Sequence, residues 1–184
     1  DITIDHAEIA PRGEKARKAL AKPILPGAKP VGPPINQMAV AIVPHGARET
    51  VEVKFLRPVG PGKVALSLAY HGNLQERLRG LYLARVGDEK YAFTQLEAAD
   101  ARRFFPCFDE PDLKARFTFS VTARAGLQVI SNNPLERSTN NTNGTTTFHF
   151  RTTPPLSTYL CALAVGELEA SQVKMAGKTP VRVW

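Results

Sequence analysis

The sequence predicts an all-β domain, an antiparallel β-sandwich or curved double sheet. Three observations lead there. Short runs alternate apolar and polar residues with a period of two, the repeat that turns one face of a strand inward. Clusters of Gly, Pro and Asn interrupt these runs at short intervals. Helical periodicity is almost absent, and many closely spaced strands without helices pack as sheet on sheet.

The chain has 184 residues, enough for a single domain over residues 1–184 that buries about 70% of its unfolded surface. Hydrophobic residues make up 43% and charged residues 22%, the balance of a globular chain. No apolar run approaches about twenty residues and no signal pattern opens the chain, so no membrane segment is expected. The start at Asp1, without Met, fits a fragment or a processed product. With 24 Lys and Arg against 17 Asp and Glu the net charge is +7, which permits acidic partners. The excess gathers at Arg12, Lys15, Arg17, Lys18 and Lys22. No stacking aromatics or recognition-helix pattern accompany it, so it reads as a solvated basic loop and no nucleic acid partner is expected.

Residues 1–9 read as a strand with Ile2 and Ile4 on one face and Thr3 and Asp5 on the other. Residues 10–22 read as loop. Pro23, Pro26, Pro30, Pro33 and Pro34 then remove backbone donors, so residues 10–37 form a long Pro-rich connection within the domain. Met38 to Val43, bounded by Pro44 and Gly46, has the look of a short buried strand. Thr50 to Phe55 alternates, with Val51, Val53 and Phe55 inward. After a turn at Pro58–Gly62, Val64, Leu66, Leu68 and Tyr70 return as the next strand, and the two are expected to form a hairpin.

Leu81–Arg85 and Lys90–Glu97 form a second strand pair around Gly87-Asp88. From Leu113 to Thr122 the alternation is the cleanest in the chain, with Leu113, Ala115, Phe117, Phe119 and Val121 on one face. Leu127–Ser131 is a short strand before the Asn132-Asn133-Pro134 turn. Asn140–Gly144 is a hairpin loop, Thr145–Thr152 is β-prone and Pro154-Pro155 ends it. Tyr159–Val165 is apolar throughout and reads as a central strand buried on both faces, although periodicity alone equally allows a buried helix. Pro180–Trp184 is a last strand or its beginning. Cys107 and Cys161 could pair, but a domain with a full core does not need the staple, and buried free thiols are expected. Asn140-Asn141-Thr142 and Asn143-Gly144-Thr145 are glycosylation sequons that turn chemistry explains equally well.

One segment, Thr94-Gln95-Leu96-Glu97-Ala98-Ala99-Asp100-Ala101-Arg102-Arg103-Phe104-Phe105-Pro106-Cys107-Phe108-Asp109-Glu110-Pro111, mixes acids, an Arg pair, prolines and three Phe. Gln95 and Glu97 stand two apart, so on an extended chain both leave one face while Leu96 turns the other way into packing. Taken alone, such a pair is a strand's wet face. Asp100, Arg102, Arg103, Asp109 and Glu110 read as a structural loop whose charges neutralise one another. Pro106 and Pro111 fix φ in it. Phe104, Phe105 and Phe108 read as core or interdomain packing. His149 reads as a satisfied or exposed imidazole. Cys107 lacks the His partner of a nucleophile.

From Thr94 to Ala115 the chain resembles the hallmark of the amino-terminal domain of the aminopeptidase N family of zinc metallopeptidases, the gluzincin aminopeptidases, in the pattern TQxEAxDARRxFPCFDEPxxKA. Gly72–Leu74, Arg79–Tyr82 and Tyr159–Gly166 resemble the flanking family segments, so the likeness runs over roughly residues 48–184. It implies a saddle-like double sheet and an exopeptidase that releases single residues from peptide amino termini with one zinc ion. The ligands and base lie in a separate catalytic domain, on a His-Glu-x-x-His helix with a distant Glu. His6, His45, His71 and His149 do not have that spacing, so the zinc belongs to the parent enzyme and none is expected on this chain, which alone is expected to be inactive.

The resemblance further implies that Glu97 binds the substrate α-amino group together with a Glu from a Gly-Ala-Met-Glu-Asn loop of the absent domain. Gln95 would orient the first residue. The implied partners are a peptide with a free amino terminus and the catalytic domain of the same polypeptide. The family domain opens with further strands, so an exposed edge and lower stability or self-association are expected. The alternative is a non-catalytic β-rich scaffold or binding module, including a family member whose catalytic site is lost.

Overall fold

The structure, a computed structural model, describes residues 2–11, 36–60 and 63–184. Most of the Pro-rich connection, its basic cluster and the end of the Pro58–Gly62 turn lie outside the described residues. Backbone contacts divide the chain into two compact units, Ile2–Gly72 and Asn73–Trp184. Both are all-β, as the alternation predicts. Among the described residues no helix is long and apolar enough to cross a membrane.

The first unit is one antiparallel sheet of β1 (Ile2–Pro11), β2 (Gln37–His45), β3 (Thr50–Phe55) and β4 (Val64–Gly72). The strand order is β3-β2-β1-β4. The hairpin expected between the third and fourth strands is not formed. Instead β4 runs along β1 from Ile2↔Gly72 to Pro11↔Val64, and β3 pairs with β2. Nine-residue β4 finds a partner along its whole length in ten-residue β1, where six-residue β3 would leave part of its ladder unpaired.

Residues Met38–Val43, expected as a buried strand, belong to a longer and half-exposed β2. Ala39 and Ala41 are half-buried, while Met38 and Val40 are 55% and 61% exposed. An apolar run reveals the strand but not which face is covered. Val51, expected inward, is likewise exposed, as are Leu66 and Tyr70 on β4.

The second unit packs two sheets on each other. One holds β5 (Gly80–Val86), β6 (Glu89–Gln95), β8 (Gln128–Ser131) and β11 (Leu163–Gly166) in the order β5-β6-β11-β8, and the other holds β7 (Ser120–Arg124), β9 (Leu135–Asn140) and β10 (Thr145–Phe150) in the order β7-β10-β9. Val129 and Leu163 from the first sheet and Phe150 from the second are buried together, with Leu81, Val121, Phe148 and Val165 packed around them. That shared core makes the expected sandwich. The hairpins at Gly87-Asp88 and Asn140–Gly144 form as the turn residues predict. A last ribbon pairs β12 (Lys174–Ala176) with β13 (Thr179–Val181).

Two local expectations are corrected, and one strand is added. The strand expected over residues 113–122 forms a regular ladder only from Ser120. Its first half is extended and tied point by point. Ala115 pairs with Leu156, Thr153 N–H donates to the Phe117 carbonyl at 2.8 Å, and Phe117 N–H donates to the Thr153 hydroxyl at 3.0 Å. The opposing strip continues into Pro154 and Pro155, which have no N–H to give and so cannot extend a regular ladder, and at Phe117 the Thr153 hydroxyl accepts in place of a backbone carbonyl. The run from Tyr159 begins in a 3-10 turn, Thr158–Leu160, with Leu160 half-exposed; only β11 is strand, central between β6 and β8. Strand β9, Leu-Glu-Arg-Ser-Thr-Asn, carries no apolar alternation and is exposed along its length, as an edge strand can be.

Candidate functional site

Strand β6 ends at Gln95, and the chain then turns on a buried anchor. Leu96 is 2% exposed and packs with Ala101 and Cys161, surrounded by Phe104, Phe105, Cys107, Phe117 and Tyr159. Gln95 and Glu97 on either side of it are both exposed, because neighbouring side chains of an extended chain leave opposite faces. The Glu97–Ala98 peptide bond is cis. Asp100 N–H donates back to the Leu96 carbonyl at 2.9 Å, and a 3-10 turn, Ala101–Arg103, follows.

Two carboxylates brace this loop. Asp100 accepts from Arg103 Nε at 2.8 Å and lies 3.7 Å from Arg79 Nε. Asp109, with its side chain 3% exposed, accepts from Arg102 Nε at 3.0 Å, from the Arg102 backbone N–H at 3.1 Å and from the Thr158 hydroxyl at 2.8 Å. Burial pushes the Asp109 carboxyl up, but the Thr158 and Arg102 hydrogen bonds and the Arg102 charge outweigh it and hold the group below the ordinary carboxylate value. The Ser157 hydroxyl donates to the Pro111 carbonyl. Pro106 and Pro111 punctuate the loop between these ties. Glu110 stands apart: it is exposed, its carbonyl accepts Leu113 N–H at 3.0 Å, and its carboxylate joins no ion pair among the described residues.

The three Phe part company. Phe104 and Phe105 meet edge to face at 5.2 Å, Phe105 meets Phe117 at 5.9 Å, and Phe104 and Phe117 each stack on Phe119. Phe108 is 82% exposed. Cys107 and Cys161 are free thiols; burial, with Asp109 beside it, pushes Cys107 up to about 11, and burial, with Cys107 beside it, pushes Cys161 up to about 12. His149 shares a hydrogen bond of 2.9 Å with the Ser120 hydroxyl.

Among the described residues no three His, Cys, Asp or Glu gather as a metal would need. Sequence reasoning missed Ser157, Thr158 and Arg79. Only their contacts across the fold mark them, and no local pattern signals them.

Fold and site together define an all-β domain that presents a glutamine and a glutamate at the end of a strand, beside a loop braced by ion pairs on Asp100 and on the buried Asp109. Residues 36–160 match the model of the Peptidase M1 N-terminal domain. The chain belongs to that family, as an amino-terminal domain of M1 aminopeptidases. It is 42% identical over 116 residues to leucyl aminopeptidase of Saccharolobus solfataricus, covering 62% of this chain and 14% of that one. It is 36% identical over 154 residues to aminopeptidase N of Acetobacter pasteurianus, covering 81% and 43%. Against the alanine/arginine aminopeptidase of Saccharomyces cerevisiae it is 36% identical over 155 residues, covering 81% and 17%. The chain thus spans less than half the length of each of these relatives.

Proposed function

We propose that this domain supplies part of the amino-terminus recognition site of a zinc-dependent aminopeptidase, with Glu97 as the residue that holds the substrate α-ammonium. The observation that carries the reading is the pairing of exposed Gln95 and Glu97 about buried Leu96. A carboxylate held on a braced loop can bind an ammonium by charge-assisted hydrogen bonds, and a blocked amino terminus would leave it unpaired. Gln95, from the same face, would orient the first residue. Asp100, Arg103, Pro106, Asp109, Glu110 and Pro111 serve the loop's shape rather than chemistry, and Asp109 carries most of that task. By resemblance, zinc, its ligands and the general base belong to a catalytic domain elsewhere in the parent polypeptide, so this chain alone should not hydrolyse peptides.

The test is Glu97→Gln in the full-length parent, assayed on matched peptides with free and acetylated amino termini. Loss of one charge-assisted contact should lower kcat/KM for the free peptide by about 10- to 150-fold and leave the thermal transition unchanged, since the side chain is exposed. An unaltered kcat/KM would remove Glu97 from the site.

A further inference from the structure

We propose that Asn143 is a site of self-modification. Its side-chain amide cyclises onto the backbone nitrogen of Gly144, with the Thr145 hydroxyl stabilising the oxyanion, and the ring opens in water to aspartate and isoaspartate.

The loop between β9 and β10 supplies each part of this reaction. Of the Asn residues in the sequence, only Asn143 is followed by Gly, whose nitrogen is uncrowded because the residue has no Cβ. Both residues are exposed, so water reaches them. Gly144 has φ +75°, and a Cβ placed on it would meet nothing within 4 Å. Its carbonyl accepts from Ala125 N–H at 3.0 Å, while its own N–H donates to nothing among the described residues. The nucleophile is therefore unoccupied.

The electrophile is polarised by its neighbours. The Thr145 hydroxyl donates to Asn143 Oδ1 at 2.6 Å and itself accepts from Asn141 Nδ2 at 2.9 Å. Hydrogen bonds in series strengthen one another, and this series ends on the oxygen that turns negative when Cγ is attacked. A donor already in place there acts as an oxyanion hole does. Asn143 Nδ2, the leaving group, is held by no hydrogen bond among the described residues.

Hydroxide removes the Gly144 amide proton, and the nitrogen bonds to Cγ. The Cγ–Nδ2 bond then breaks, and Nδ2 leaves as ammonia with a proton taken from water. Water adds to either carbonyl of the five-membered imide and breaks that carbonyl's bond to nitrogen. Opening at Cγ gives aspartate, and opening at the main-chain carbonyl gives isoaspartate. No electron acceptor is needed.

The neighbouring asparagines each lack a part. Asn140 Oδ1 also accepts a hydroxyl, from Thr146 at 2.9 Å, but the nitrogen that would attack it, that of Asn141, donates to the Thr145 carbonyl at 2.8 Å. Asn133 precedes Pro134, which has no N–H, and gives Nδ2 to the Thr152 carbonyl. Asn132 is held at both ends of its amide, by the Leu160 carbonyl and Ala162 N–H. Asn141 gives Nδ2 to the hydroxyls of Thr145 and Thr147. The tip of this hairpin is thus the place where the domain gains a carboxylate with age.

The experiment incubates the full-length parent, folded, in mildly alkaline buffer made with oxygen-18 water, and maps its peptides by mass spectrometry with fragmentation between Asn140 and Asn143. Asn143 should convert about tenfold or more faster than Asn140, take up heavy oxygen and give both aspartate and isoaspartate. Conversion no faster than at Asn140 overturns the site, and aspartate without isoaspartate overturns the cyclisation. The hydroxyl is tested separately. Thr145→Val should slow the folded protein about tenfold or more, and Thr145→Ser should restore most of the rate. In urea the unsubstituted protein and Thr145→Val should react alike, because the hydrogen bond belongs to the folded hairpin. Equal rates in the folded state overturn the role of the hydroxyl, and a difference that persists in urea overturns the role of the fold.

Discussion

A Cβ placed on Gly80 would lie 2.6 Å from the Cβ of Arg103. Gly80 opens β5 with φ +68° and so lets the 3-10 turn that carries Arg102 and Arg103 lie directly on the sheet. Gly80→Ala must both strain the backbone and push that turn away, and should cost about 2–4 kcal/mol. Gly87 also has a positive φ but nothing within 4 Å of its virtual Cβ. Gly87→Ala should therefore cost only the strain, about 1 kcal/mol. Urea midpoints of the two variants measure the difference, and equal losses would show that the close approach does not matter.

Asp109 should make stability sensitive to acid. Its folded-state carboxyl is held below the ordinary value, so its contribution is fully present above the unfolded carboxylate pKa of about 3.9 and disappears as pH falls through the lower folded value. Asp109→Asn should be destabilised by about 2–3 kcal/mol near neutrality. The gap between it and the unsubstituted protein should narrow below about pH 4. Denaturant titrations from pH 3 to 7 test this; a gap independent of pH would mean that the hydrogen-bonding shape of the side chain, not its charge, does the bracing.

Gln95 and Glu97 should separate kinetically in the parent enzyme. Glu97→Gln should weaken all free-amino substrates alike, because every one carries the same ammonium. Gln95→Ala should instead change the ranking among first residues, by about 3- to 10-fold for a lost neutral hydrogen bond. Specificity profiles over a panel of aminoacyl substrates decide it, and parallel losses for both variants would count against distinct roles.

The two thiols should be silent until the domain opens. With Cys107 pushed up to about 11 and Cys161 to about 12, both remain protonated at pH 8, and the thiolate is the reactive form. Iodoacetamide should modify neither appreciably in the folded protein and both at once in urea. Rapid labelling of Cys161 under native conditions would contradict its burial.

What could be read from the sequence was whatever depended on near neighbours. The alternation Gln95-Leu96-Glu97 names the buried and exposed residues correctly because three consecutive side chains suffice to determine it. Gly87 and the Asn140–Gly144 loop announce their hairpins for the same reason. The exchange of partners between β3 and β4 was invisible, since it depends on the match between β4 and a strand more than fifty residues away. Likewise Phe104, Phe105 and Phe108 are identical letters whose fates diverge only when the strip at residues 117–119 and the turn at 158–160 arrive beside them. Pro154 and Pro155 marked an end correctly, but not that a Thr153 hydroxyl would take over a rung.

Strand β1 is hydrogen-bonded on both sides, to β2 and to β4, so the sheet of the first unit is assembled around it. Trimming the protein to begin after residue 11 would forfeit more than one strand. β4 would lose its whole ladder, and β2 with β3 would remain as a lone two-stranded ribbon, marginal in water. Any shortened version of the protein should therefore keep residues 2–11 able to enter the sheet.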